Sequence, residues 1–441
     1  MAEVVPFKGI LYNPEKISNL ADVVAPPYDV ISQEEHKALH NRHPNNIVRL
    51  ILGEKTEEDT KENNPHTRAA GYFNDWISED ILSRDDSNAF YLTSVEFELE
   101  KKKVTRFGLI ALVGIVPFDE GIVLPHEKTF SKVKSERLEL FKICKANFSP
   151  IFSLYSDTGN ILKTLIDSIS GQQPDMDIES DKGEKHMMWR ISDPDVRDFV
   201  SNAMENKKLY IADGHHRYET SLNYRKFLSE TDPAFNEEHP ANYVMMYLCS
   251  MEDPGMVVLP AHRMLHDIPD SKLEMFIENA KEYFDISEIS LIDMGPEKAR
   301  SDFISSLRSN SDKNTIGVYI KNRKIFYIIS LKPGIMEMKY ADEMPESLLM
   351  LDVTVLTRLC MMDILGFDQA MLDNEKLISY SSVDSHAIDA VDSGKCDIAF
   401  ILNSTKIEQV KNIAEQGQVM PRKTTYFYPK AITGQVMNTL E

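Results

Sequence analysis

The chain has 441 residues, 42% of them apolar and 27% charged, which suits a globular protein of two or three domains with a sizeable core. Its 70 acidic and 49 basic residues give a formal net charge of −21. Such a field repels nucleic acid and anionic membrane, so neither is an expected partner, and any bound anion needs a local positive pocket.

Taken in chain order, "VVPFKGILY" and "VVAPPYDVIS" read as strand and loop pieces, the second stiffened by Pro26 and Pro27. "ISQEEHKALHNRHP" predicts a helix with Ser32 as N-cap and Glu35 completing a capping box. "NNIVRLILG" reads as a buried strand with Arg49 inside it, and a helix follows in the second half of "DTKENNPHTRAAGYFNDWISEDIL". "NAFYLTSVEFEL" and "VTRFGLIALVGI" predict two strands joined by the charged turn "EKKK". An amphipathic helix over residues 135–145 precedes the strand "SPIFSLYSD". Residues 187–228 read as strand, helix, strand, helix, and "NYVMMYLCSM" and "MVVLPAHRML" as further strands. After His266 helices and strands alternate, which places a domain boundary near residue 270 and makes the fold class α+β, or mixed α/β.

Cys144, Cys249, Cys360 and Cys396 are scattered and form no C-x-x-C pair, which argues against zinc and for a reducing compartment. The N-terminus lacks a basic stretch followed by an apolar one, and no apolar run is long enough to span a bilayer, so a cytoplasmic protein is expected.

Chemistry concentrates in "LYIADGHHRYETSLNYRKF", residues 209–227. A strand ends in Asp213, Gly214 permits a sharp turn, and a helix begins at once. Its free N–H groups and dipole make an anion site, to which Arg217, His215 and His216 add donors. Asp213 can orient an imidazole or hold a metal; the plainer reading is an ordinary strand–turn–helix with Asp213 as a cap. "LPHEKTF" places Glu127 between His126 and Lys128, a candidate general base or a solvated loop. Lys132, Lys134 and Arg137 form a small basic island. "GQVMPRKTTYFYPK" offers Arg422, Lys423, Thr424 and Thr425 to an anionic or amino-acid ligand, or makes a basic surface strand. Tyr28 and Asp29 sit in the proline-stiffened loop as substrate or metal contacts, and His262 and Arg263 can line the same cleft. P-loop, kinase glycine-rich and G-x-G-x-x-G motifs are absent from the sequence.

"ADGHHRYETSLNYR" resembles the signature of the ParB/sulfiredoxin-like superfamily, in which such a strand–turn–helix cradles phosphates. "PHEK", "DGHHR" and residues 393–425 together resemble, in order, the free-serine kinases of that superfamily. Over nearly its whole length, from "VVPFKGILYNPEKI" to "KANFSPIFSLY" and beyond, the chain is similar to a long bacterial and protist family that includes pyrophosphate-dependent serine kinases. The resemblance implies a ParB/sulfiredoxin-like core with large N- and C-terminal additions. Residues 1–270 would form the catalytic region and 271–441 would contribute the PRKTT segment.

It implies phosphorylation of free L-serine to O-phospho-L-serine, with pyrophosphate as donor, or ATP or ADP in its place, and Mg²⁺ as cofactor. Glu127 would be the general base, aided by His215 and Asp213. Gly214, His215, His216 and Arg217 would bind phosphate, and His126, Arg422, Lys423, Thr424 and Thr425 the substrate. Asp213 and Asp29 are the metal candidates. Phe427 stands where the archaeal pattern has a histidine, which points to a differently built serine pocket. Of other classes, a sulfiredoxin would need cysteine at His215, and a ParB-like protein a basic DNA-binding module. A non-catalytic anion- or nucleotide-binding protein is the alternative outside the enzymes. Nothing in the sequence sets an oligomeric state.

Overall fold

The computed structural model describes residues 1–127 and 131–441, and of residues 131–134 the backbone alone. Lys128 and the side chains of Lys132 and Lys134 therefore lie outside the described residues. The architecture is mixed α/β, in two compact units: residues 1–257 with 429–441, and residues 258–428.

Among the described residues of the first unit, nine strands form one sheet. They are β1 (Val4–Val5), β2 (Phe90–Leu99), β3 (Lys102–Gly114), β4 (Val123–Leu124), β5 (Ile151–Tyr155), β6 (Met176–Glu179), β7 (Lys185–Ile191), β8 (Leu209–Asp213) and β9 (Tyr243–Ser250). The order is β4-β8-β5-β9-β3-β2-β7-β6, with β1 added to β3. The β2–β3 hairpin turns at Glu100 and Lys101, both with positive φ, 49° and 64°. Two residues of that conformation match the twist of the paired strands.

One face of the sheet buries Leu92, Leu109, Val113 and Met246. It packs them with Leu165 of helix α5 (Ile161–Ser168) and Val200 of helix α6 (Pro194–Met204), which follow helix α4 (Ser131–Cys144) in the chain. Each such side chain contributes about 1.5–3 kcal/mol on burial. Within the sheet, Tyr247 of β9 lies across Gly108 of β3. A Cβ at Gly108 would come within 2.1 Å of the Tyr247 ring, so this strand position excludes every other residue.

A second cluster gathers the N-terminal helices α1 (Gln33–Arg42), α2 (Val48–Ile51) and α3 (Pro65–Ser78). Ser32 caps α1 and Glu35 closes the capping box as the sequence predicts. The apolar run expected as a strand is instead the short helix α2. Asn46 decides this: its side chain accepts the Val48 N–H at 2.9 Å, while its amide donates to the carbonyls of Asp22 and Val24. A short apolar run carries no period to tell the two structures apart. Arg49 takes the structural role, donating to the His40 carbonyl at 2.7 Å. The C-terminal residues return to this region, where Met437 bridges to Ile10 and Thr433 to Ala25.

The second unit holds a six-stranded sheet among its described residues. Its strands are β10 (His262–Leu265), β11 (Phe284–Ser290), β12 (Thr315–Ile320), β13 (Ile325–Leu331), β14 (Ile378–Ser381) and β15 (Ile398–Ile401), in the order β11-β13-β12-β15-β10-β14. Strand β10 lies inside that sheet, so the chain has joined the second unit before residue 270.

Replacing Gly108 by Ala is expected to force Tyr247 from its place and to cost about 1–3 kcal/mol, as overpacking does. Urea unfolding of both proteins checks this; an unchanged midpoint would show that the ring yields freely.

Candidate active site

The site begins with β8. Parallel pairing with β4 sets Val123 opposite Leu209 and Leu124 opposite Tyr210. The chain leaving β4 therefore runs beside the end of β8, and it carries His126 and Glu127. On the other side β8 pairs antiparallel with β5, and a bulge between Ile211 and Asp213 brings Asp213 opposite Phe152. Bulges re-aim side chains at strand ends.

Gly214 then turns the chain with φ +94° into helix α7 (His215–Thr231). Beyond its φ, there is no room for a side chain, because a Cβ would lie 2.8 Å from the Arg217 Nε. Arg217 folds back over the turn from the first coil of the helix. Its Nη2 donates to Asp213 Oδ2 at 2.6 Å and its Nη1 to the Pro150 carbonyl. The free phosphate fork expected at Arg217 is thus a clamp on the cradle itself.

The second oxygen of Asp213 is met by Lys430, with Nζ 2.5 Å from Oδ1. Burial alone would push the Asp213 carboxyl up. The charges of Lys430 and Arg217 outweigh that and hold it well below the usual carboxylate range. A metal ion at Asp213 would have to displace one of these cations. Among the described residues no group of three or more His, Cys, Asp or Glu converges as a metal cage. Asp213, with both oxygens engaged by cations, is therefore ill suited to hold a resident metal ion. Asp29 is exposed, yet crowding by surrounding protein and the charge of Asp213 raise its carboxyl above the ordinary value.

His126 and His215 pack edge to face, ring centroids 4.7 Å apart. The backbone N–H of His126 donates to His215 Nε2 at 3.2 Å. Accepting that bond requires a lone pair on Nε2, so His215 is neutral with its proton on Nδ1. Burial agrees, lowering His215 well below its ordinary value and His126 to about 4. His216 and Glu127 are half-buried at the same turn and the same approaching segment. Tyr28 lies near the cradle as well. Burial raises its hydroxyl, and the nearby charges of Arg217 and Arg137 oppose that shift.

The PRKTT segment belongs to the second unit and is held there from within. Arg263, buried, donates to the carbonyls of Arg422 at 3.1 Å and Lys423 at 2.9 Å, and to that of Ala261. Lys423 is exposed in the left-handed region at φ 53°. Thr424 is buried, its hydroxyl donating to the Pro421 carbonyl at 2.5 Å, and Thr425 is half-buried. Arg422 is half-buried, its guanidinium 3.8 Å from Asp373 and 3.9 Å from Glu375. Phe427 is wholly buried. His262 and Arg263, expected to line a cleft, are internal instead; the His262 Nε2 is 2.9 Å from Asp384.

Sequence reading missed Lys430 and the Pro150 carbonyl. Neither carries a local signal, since Lys430 lies 217 positions from Asp213. All four cysteines are buried and free. Burial pushes the Cys249 thiol up to about 12, so it is inert at neutral pH. No helix among the described residues is long and apolar enough to cross a membrane.

The chain belongs to the family described as "Protein of unknown function (DUF1015)", matched over residues 4–354. No curated protein matches it. Solved structures similar to it include a conserved hypothetical protein from Pyrococcus furiosus, 14% identical, covering 73% of this chain and 90% of that one at a TM-score of 0.33. A free serine kinase in complex with AMP is 13% identical, covering 73% and 86%, at a TM-score of 0.33. SbnI with a C-terminal truncation, from Staphylococcus aureus, is 10% identical, covering 74% and 86%, at 0.34. Similarity this low carries no argument about what this chain does.

Replacing Asp213 by Asn would leave the buried Arg217 and the half-buried Lys430 without their countercharge. The expected loss is about 3–5 kcal/mol in chemical unfolding, and a loss under about 1 kcal/mol would show the cluster to be hydrated.

Acid should weaken the fold in two stages. His126 has its folded value lowered from 6.5 to about 4, so the unfolded chain takes up a proton that the folded chain refuses. Stability then falls as pH drops from about 6.5 to about 4, by roughly 3 kcal/mol, and His126→Gln flattens that slope. Asp213, depressed in the folded state, contributes its stability above about 3.8 and loses it below. Unfolding midpoints measured against pH for both proteins test the assignment.

Proposed function

We propose that this protein is a phosphotransferase that converts free L-serine to O-phospho-L-serine, with inorganic pyrophosphate as donor. The observation that carries the reading is the convergence of two distant motifs. The segment bearing Glu127 reaches the cradle at Gly214 through the β4–β8 pairing and the His126 to His215 hydrogen bond. A carboxylate base and a helix N-terminus ready for an oxyanion are what transfer to a hydroxyl requires. The choice of L-serine and of pyrophosphate rests on the motif resemblance.

In this reading Glu127 takes the proton from the serine hydroxyl as that oxygen attacks phosphorus. The bond from phosphorus to the bridging oxygen breaks, and phosphate leaves. The N–H groups at the start of α7 and the Nδ1–H of His215 stabilise the charge that develops on the transferring group. His216 adds a further donor. Asp213 and Arg217 act by position: they fix the Gly214 turn so that its N–H groups stay aimed at one place. Magnesium would enter with the phosphoryl donor and would offset its charge, and Asp29 is the protein carboxylate that would help to hold it. His126, Arg422, Lys423, Thr424 and Thr425 keep the substrate-binding role that the resemblance implies. The four scattered cysteines, which suit a reducing compartment, support a cytoplasmic setting for the proposed reaction.

The test is formation of O-phosphoserine by purified protein with L-serine and Mg²⁺, offered pyrophosphate, ATP or ADP in parallel. Product with pyrophosphate alone is expected. Product with a nucleotide alone keeps the mechanism and replaces the donor. No product with any donor leaves an anion-binding protein. Glu127→Gln should keep the fold and lower turnover at least about a hundredfold, the loss expected for a removed general base.

A further inference from the structure

Behind the cradle lies a small cavity inside the first unit, of about 30 Å³, room for one or two waters. Arg137 and Arg217 both line it, with Tyr28, Asn147 and Ser149 as further polar groups and Phe148 among the apolar ones. None of its described lining residues is acidic. In a chain of net charge −21 that is a local reversal of sign.

Both arginines have their terminal nitrogens committed within the fold. Both terminal nitrogens of Arg217 are committed, to Asp213 and the Pro150 carbonyl. Arg137 is equally buried, 6% exposed. Its Nη1 donates to the Ile51 carbonyl at 2.7 Å, its Nη2 to Glu136 Oε1 at 3.2 Å, and its guanidinium lies over the Tyr28 ring at 4.1 Å. Its Nε is buried without a hydrogen-bond partner. An unmet donor on a buried cation is costly, and an oxyanion is the group that satisfies it best.

We infer that this cavity is the subsite for the carboxylate of an α-amino acid substrate, held by Arg137 with the Tyr28 hydroxyl beside it. The inference rests on the proposed reaction for its place in catalysis, though not for the binding it predicts. The room suits the three atoms of a carboxylate, whereas a tetrahedral phosphate has its own place at the start of α7. Arg217 gives the two subsites a shared wall. Arg137 thereby becomes a specificity-determining residue, selecting amino acids over simple amino alcohols.

The full-length protein tests this by calorimetry with L-serine and with ethanolamine, which keeps the amine and hydroxyl and lacks the carboxylate. The wild type should bind L-serine at least about tenfold more tightly. Arg137→Lys, a point charge without the planar fork, should lose that preference and raise the KM for L-serine at least about tenfold, with the donor KM within about twofold. Tyr28→Phe keeps the ring under the guanidinium and should move the serine constants in the same direction by a smaller factor. It serves also if Arg137→Lys fails to fold by circular dichroism. Equal binding of L-serine and ethanolamine to the wild type overturns the subsite. So do unchanged serine constants in a folded Arg137→Lys, or a rise confined to the donor KM, which would mark a phosphate site. Calorimetry needs no turnover. A carboxylate preference without phosphoserine formation would therefore sink the kinase reading and leave the subsite standing.

Discussion

One carboxylate organises the candidate site. Asp213, half-buried at the end of a strand, is held between Arg217 from the next helix and Lys430 from the far end of the chain. Withdrawing charges from water is costly unless they are paired, and here one anion is shared by two cations. The arrangement ties together three things that sequence keeps apart: the strand end, the first turn of α7 and the C-terminal return. Thr433 and Met437 carry that return onward by pairing with Ala25 and Ile10. Lys430 is thus embedded in a segment that is itself locked into the unit.

The same cluster sets the electrical character of the cradle. With Asp213 neutralised from both sides, the groups that the proposed reaction assigns to the phosphate are backbone N–H groups and neutral imidazoles. These donors are fixed in direction before any ligand arrives, the condition under which they stabilise developing charge most effectively. Burial keeps His126 and His215 uncharged, so the cradle does not depend on their protonation near neutral pH. Arg217 contributes by shape: its guanidinium fills the space over Gly214 and excludes any side chain there.

The second unit shows the same economy on a smaller scale. Arg263 is buried without a carboxylate and is satisfied by three carbonyls, two of them in the PRKTT turn. Burial lowers its value to about 10, which still leaves it charged at neutral pH. Its work is to hold Lys423 in a left-handed conformation that a lysine adopts rarely. That turn is therefore built by the protein rather than left to solvent.

Local signals were legible in the sequence wherever the physics was local. The capping box at Ser32 and Glu35, the β2–β3 hairpin and the strand–glycine–helix at Asp213 each depend on residues a few positions apart, and each is present, the hairpin with a turn of two residues rather than the four of "EKKK". The candidate groups of the cradle were legible too, because acid, imidazole and guanidinium in five residues are conspicuous. The helix at Val48–Ile51 was not, since Asn46 settles it through carbonyls some twenty residues upstream. Nor could sequence reveal that Arg217 would clamp Asp213, that Lys430 would join it, or that Arg137 would retain an unmet donor beside Tyr28. Composition and spacing by themselves determined the classes of chemistry open to this protein. Which charges are neutralised, and which remain for a ligand, only the tertiary structure decided, because burial and pairing across long stretches of chain are properties of contact.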